Sequence, residues 1–301
     1  MVFDKPISTS DVPPKYLEAA KFVGQIPRRV LKADPRVSYA LYIPPKFYNP
    51  NPAKNSSIPK LPLLINIHGT SRDVSSLNGK LEKFADETPC AVLSPLFPAN
   101  VVGPNDLDSY KVLSADGILG LRSDLAVMSM MEEIAYIWPG VDMDKVYLMG
   151  FSGGGQFVHR FMYLYPELLK AVSVGAPGRV TYLNDTERWP SGTADVPSLF
   201  EGRTVRKDLI RALPIQLVVG SKDNVVVGNA DFWAWVRNAT GVENALEKMD
   251  KGRLDTIKEL QKLWKDNGID SQLDIVEGIG HDGNGAMATQ LGFMQPLMRT
   301  K

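Results

Sequence analysis

Residues 145–156 read Lys-Val-Tyr-Leu-Met-Gly-Phe-Ser-Gly-Gly-Gly-Gln, and this stretch restricts the fold more than any other. The four apolar residues 146–149 make the short run expected of a buried strand, and it stops at the pentad Gly150-Phe151-Ser152-Gly153-Gly154. Residues 157–164 then read as the opening turns of a helix. A strand that meets a helix through so short a turn forces the residue between them into a strained backbone conformation, which needs glycines on either side to give room. Ser152 is expected to stand above the sheet edge, at the amino end of a helix whose unpaired N–H groups favour developing negative charge. Two other meanings stay open on the pentad alone. One is a glycine-rich turn with no chemistry. The other is a dinucleotide-binding turn, although the G-x-G-x-x-G spacing is missing and the segment lies mid-chain.

The rest of the chain alternates strand and helix patterns. A short amino-terminal helix is expected over residues 16–22, and residues 28–33 and 37–43 read as a hairpin-like pair of strands. After a loop rich in Pro, Asn and Ser at 49–59 comes the nearly continuous apolar run 61–67, the pattern of a parallel strand buried on both faces. A helix over 77–87, a strand over 90–96, a long loop over 97–120 and a helix over 121–137 capped by Ser123 follow. Beyond the pentad come strands at 169–175, 215–220 and 272–276, a charged helix over about 244–266, and a terminal helix. Residues 177–213 break the rhythm, being polar with scattered prolines and aromatics, and are expected to form a cap or lid. The whole predicts one α/β domain over 1–301, with a doubly wound, mainly parallel sheet whose ligands bind outside the carboxyl ends of the strands.

Composition excludes several classes. The 34 basic and 34 acidic residues balance and no basic block stands out, so nucleic acid and anionic membrane are poor partners, and a small substrate not steered by bulk charge is expected. No apolar run approaches the roughly 20 residues that span a bilayer. The single cysteine, Cys90, cannot form an internal disulfide, and the opening residues lack a signal-peptide pattern, so a cytoplasmic protein is expected. His-x-x-x-His and Cys-x-x-Cys spacings are both absent, which argues against a metal hydrolase. The oligomeric state is not legible.

A serine hydroxyl needs a base to take its proton, and histidine has the fitting pKa. The chain has three. His159 lies seven residues past Ser152 on the same helix, about 10 Å along its axis, which is too far for a hydrogen bond. His68 closes a strand before Gly69-Thr70, a place suited to shaping a loop. His281 sits in the glycine loop 277–283 directly after the last strand, which brings it to the same sheet edge as Ser152, so it is the expected base. The acid that orients it is expected to be Asp223, just past the strand 215–220; Glu277 and Asp282, close to His281 in sequence, are rivals.

With Ser152, Asp223 and His281 in that order, the chain resembles the α/β-hydrolase superfamily from about Tyr39 onward. The run from Val141 through the glycines after Ser152 is similar to the branch of polyhydroxybutyrate depolymerase-like and feruloyl esterase-like serine esterases. The resemblance implies an oxyanion site made by the N–H groups of Gly153 and Thr70, and cleavage of a carboxylic ester through an acyl-enzyme without metal or cofactor. A small to medium neutral ester or lactone is the expected substrate, with Tyr182, Trp189, Phe200, Phe232, Trp233 and Trp235 as pocket candidates. Hydrolysis of a thioester or carbon-carbon bond in natural-product metabolism shares the same machinery, and a non-catalytic ligand-binding homologue would keep the same pocket.

Overall fold

The computed structural model describes residues 6–103, 106, 108–113, 120–224, 231, 234–235 and 251–299. Eight strands form one sheet: β1 Gly24–Val30, β2 Ser38–Ile43, β3 Leu61–Ile67, β4 Ala91–Leu96, β5 Val141–Phe151, β6 Leu169–Gly175, β7 Ile215–Gly220 and β8 Gln272–Val276. Their spatial order is β1-β2-β4-β3-β5-β6-β7-β8. The first two strands pair antiparallel and β2 runs antiparallel to β4, while every later pairing is parallel. This is the α/β-hydrolase arrangement, with β5 at the centre.

The apolar runs explain the layering. Every residue of β7, and all but one of β3 and of β6, is buried, as a strand covered on both faces requires. On one face lie α3 (Ser123–Ile137), α4 (Gly153–Leu164) and α7 (Arg253–Asp266), packed around Phe157, Phe161, Trp138 and Trp264. The other face is covered by α1 (Lys80–Glu87) and α8 (Gly283–Arg299), through Leu81, Phe84, Met287, Leu291 and Met294. Three short helices, α2 (Ser109–Val112), α5 (Val196–Leu199) and α6 (Lys207–Arg211), sit in the long connections.

Several expectations shift. The amino-terminal segment forms two single-turn 3-10 helices, Thr9–Asp11 and Pro14–Tyr16, in place of an α-helix over 16–22, and the backbone leaves helical geometry at Lys21, whose φ is 58°. Ser123 does not cap α3, because its hydroxyl donates to the Tyr110 carbonyl at 2.8 Å. The charged helix is described from Arg253; the remainder of the expected span lies largely outside the described residues. Within residues 177–213, the expected cap or lid, Val180, Val196, Phe200 and Ile210 are buried in the main core while most other side chains are exposed or half-buried, and the Trp189 indole N–H donates to the Val112 carbonyl at 2.6 Å.

Candidate active site

β5 ends at Phe151 and α4 begins at Gly153, so Ser152 alone makes the turn, with φ 58° and ψ −115°. That conformation costs a non-glycine residue of order 1–3 kcal/mol and persists only where neighbours enforce it. Here the Ser152 N–H donates to the Gly175 carbonyl at 2.8 Å and its carbonyl accepts from Gln156 at 3.1 Å. Glycines allow the approach. A Cβ on Gly150 would lie 2.7 Å from the Gly154 carbonyl carbon, and one on Gly154 would collide with the Ile67 carbonyl oxygen and lie 3.0 Å from that of His68.

The carboxyl ends of three further strands bring the partners. Ser152 Oγ lies 2.9 Å from His281 Nε2, and His281 Nδ1 lies 2.7 Å from Asp223 Oδ2. Asp223 follows β7 and is almost wholly buried, while the imidazole follows β8 and packs against the Phe151 ring, tilted 38° to it at 5.0 Å between ring centres. The rivals are engaged elsewhere: Glu277 accepts from the Ser221 hydroxyl at 3.2 Å, and Asp282 accepts from the Asn284 N–H at 2.9 Å. Thr70 follows β3. The point where a Cβ on Gly153 would sit is 3.0 Å from Thr70 N, so the two residues border one small space beside Ser152. Gly153 opens α4, where an N–H has no partner within the helix, and Thr70 N–H donates to no backbone acceptor among the described residues.

The other two histidines hold loops. His68 donates through Nδ1 to the Gly69 carbonyl at 2.8 Å and accepts through Nε2 from the Phe97 N–H at 3.0 Å, and burial pushes its pKa down to about 4. The Tyr110 hydroxyl donates to the His68 carbonyl at 3.1 Å, which further anchors the turn that carries Thr70. His159 has the same two-sided arrangement, with the Gly155 carbonyl at 2.8 Å and the Thr181 N–H at 3.0 Å, and burial lowers it to about 3.

A cleft of about 400 Å³ opens at Ser152, lined by His68, Gly69, Thr70, Phe151, His281 and Met287 among others. None of the aromatic pocket candidates among the described residues lines it. Phe200 is fully buried in the core with Trp189 against it at 5.2 Å between ring centres, Tyr182 packs on the core's edge, and Trp235 is largely exposed. Aromatic surface near the sheet edge is used for packing, which sequence position does not distinguish from pocket lining. Phe232 and Trp233 lie outside the described residues. The sequence reading missed a group of cations beside the site: Lys111, Arg160, Arg179 and Arg253, the last 3.4 Å from Asp223 Oδ1. Only Arg160, eight residues beyond Ser152 on a helix otherwise apolar there, carried a sequence signal.

No protein-family model matches the sequence, and no curated protein matches it by sequence. Solved structures do match in shape. A poly(aspartic acid) hydrolase-1 from Sphingomonas sp. KT-1 is similar at TM-score 0.63 and 20% identity, over 85% of this chain and 92% of that one. The chain has the α/β-hydrolase fold. A poly(3-hydroxybutyrate) depolymerase from Bordetella parapertussis aligns at TM-score 0.62 and 21% identity over 95% and 92% of the two chains, and a ferulic acid esterase at 0.58 and 15% over 90% and 95%. Among the described residues of this α/β-hydrolase-fold chain, no helix is long and apolar enough to cross a membrane.

Proposed function

We propose that this chain is a serine hydrolase that cleaves a small to medium carboxylic ester or lactone through an acyl-enzyme. The observation that carries the reading is the continuous hydrogen-bonded line from Ser152 Oγ through both ring nitrogens of His281 to Asp223, at 2.9 and 2.7 Å, beside a serine held at positive φ. In this reading Ser152 Oγ attacks the carbonyl carbon while its proton passes to His281 Nε2. Asp223 fixes the tautomer with Nδ1 protonated and stabilises the imidazolium. The carbonyl oxygen, now an oxyanion, takes hydrogen bonds from Gly153 and Thr70, each worth about 3–4 kcal/mol of barrier. The carbon-oxygen bond to the alcohol breaks as His281 returns the proton to the departing oxygen, and water repeats the sequence on the acyl-enzyme to release the acid.

The test is turnover of p-nitrophenyl esters. Ser152→Ala is expected to lower kcat at least about a thousandfold and to abolish labelling by a fluorophosphonate; retained turnover refutes the reading. Asp223→Asn is expected to lower kcat by about 10⁴, with Glu277→Gln near wild type, and the reverse pattern moves the acid role to Glu277. Intact-mass detection of the acyl adduct across esters, lactones and thioesters identifies the leaving-group class.

A further inference from the structure

From Ser152 the cleft runs down between the end of β3 and the start of α8, and its floor is polar. Side chains alternate along β3. Leu64 packs with Met287 and Leu291 of α8, so Asn66, two residues on, points to the same side. Asn66 and Gln290 both line the cleft, at 8% and 2% exposure. Among the described residues the Asn66 amide has no hydrogen-bond partner. Ser94 does not supply one: its hydroxyl, on the neighbouring β4, is buried and itself without a partner. Gln290 uses its amide nitrogen on the Ser173 hydroxyl and the Gly150 carbonyl, which leaves its oxygen open among the described residues. A buried amide with an unmet donor or acceptor is costly unless water or a ligand completes it.

The charged groups stay at the mouth. Asp73 and Asp282 are exposed, and each holds its own turn, Asp73 by accepting from the Ser75 N–H at 2.7 Å and Asp282 from the Asn284 N–H at 2.9 Å. The Lys80 ammonium sits at the same rim, donating to the Asn284 carbonyl at 2.8 Å, while Arg72 is turned to the Phe97 and Thr70 carbonyls. Carboxylates and an ammonium meet at the rim, so the floor, which is neutral, is what selects. Asn66 pairs with Met149 in the parallel ladder, three residues before Ser152, which sets the floor about 10 Å below the serine. Between them the wall includes the apolar side chains of Phe151 and Met287. His281 lines this cleft too, and it returns the proton to the departing oxygen, so the alcohol half of the ester lies here.

We propose, on the serine-hydrolase reading above, that the alcohol half of the substrate is a short alkyl chain ending in a hydroxyl. That hydroxyl donates to Gln290 Oε1 and accepts from Asn66 Nδ2, while its methylene groups pass Phe151 and Met287. The depth of the floor calls for about four carbons between the ester oxygen and the hydroxyl.

The experiment measures acid release from 4-hydroxybutyl butyrate and from n-pentyl butyrate, in which a methyl replaces the hydroxyl. The expected kcat/KM ratio favours the hydroxy ester by at least about tenfold, because the methyl leaves both amides unpaired. Across hydroxyalkyl butyrates from two to six carbons, each against its own methyl analogue, the ratio should peak at about four. Asn66→Leu, which keeps the volume and removes both polar atoms, should bring the four-carbon ratio to about one. A wild-type ratio of one or less, with pentyl butyrate turned over, overturns the hydroxyl subsite and leaves the hydrolase reading intact. So does a ratio equally high at every chain length, a result that needs no variant to fold. A high ratio that Asn66→Leu does not lower overturns the assignment to Asn66. Choline butyrate turned over faster than the hydroxy ester gives the cleft to a cation and overturns the proposal as well. If no ester is turned over, the hydrolase reading fails, and binding of the two esters to Ser152→Ala decides the subsite: equal affinity overturns it and tighter binding of the hydroxy ester upholds it.

Discussion

His68 and His159 each use one ring nitrogen as donor and the other as acceptor to backbone groups, so a second proton on either ring breaks a bond that holds a loop. Burial lowers their pKa values from 6.5 to about 4 and about 3. The unfolded chain therefore binds more protons than the folded chain at these sites between pH 6.5 and the folded values. Stability from these groups is fully present above about pH 6.5 and is lost as pH falls toward 4 and then 3. Between pH 7 and pH 5 each should cost about 2 kcal/mol, in a range where ordinary carboxylates change little. Urea unfolding at the two pH values checks this, and His159→Gln, whatever its effect at pH 7, should remove about half of the difference. An unchanged difference would mean that His159 is not held neutral.

At the scale of the element, the strand-turn-helix unit has two kinds of glycine. Gly154 is confined by the end of β3, since a Cβ there meets the Ile67 and His68 carbonyl oxygens, which are backbone and cannot swing aside. Gly153 is bordered by the Tyr110 hydroxyl, which is buried and bonded to the His68 carbonyl, by the buried Lys111 stem and by Thr70 N. Gly154→Ala should therefore cost about 1–3 kcal/mol of stability by denaturant unfolding. Gly153→Ala should displace the Tyr110 hydroxyl from the His68 carbonyl and also lower kcat, because its methyl enters the space beside Thr70 N; unchanged kcat in the folded variant would mean that this space plays no part in turnover. This unit was legible in sequence because its rule is local: apolar run, glycines, serine, helix. The strands at 61–67, 169–175 and 215–220 were legible for the same reason, through nearly continuous burial, whereas 272–276 is an edge strand with no buried residue and was legible only from its β-forming residues. Elements whose form depends on distant partners were not. Ser123 bonds to Tyr110 instead of capping its own helix, and the aromatics of 177–213 go into the core, because neither choice is encoded within a few residues. The cations beside Ser152 come from α2, α4, α7 and the segment after β6, and no spacing rule joins them.

At the scale of the whole molecule, the strands that carry the candidate site are tied together by polar side chains that an apolar strand pattern conceals. Gln290 of α8 donates to the Ser173 hydroxyl at 3.1 Å and to the Gly150 carbonyl at 3.4 Å, next to the turn that holds Ser152. The Ser173 hydroxyl donates to Gln216 Oε1 at 2.6 Å, and Gln216 Nε2 donates to Asp274 at 2.6 Å and to the Thr289 carbonyl at 3.2 Å. The line crosses β5, β6, β7 and β8, the strands that lead to Ser152, Asp223 and His281. Ser173, Gln216 and Gln290 are all buried, so removing one member leaves its neighbours unsatisfied at about 1–3 kcal/mol each. Ser173→Ala and Gln216→Leu should each destabilise by that amount, and the double variant should cost less than their sum by about 0.5–3 kcal/mol, because the second change removes a group the first had already stranded. Urea unfolding of the four proteins measures the coupling. Additivity within about 0.3 kcal/mol would mean that each strand is held by its own ladder and apolar faces alone, with the polar line a passenger.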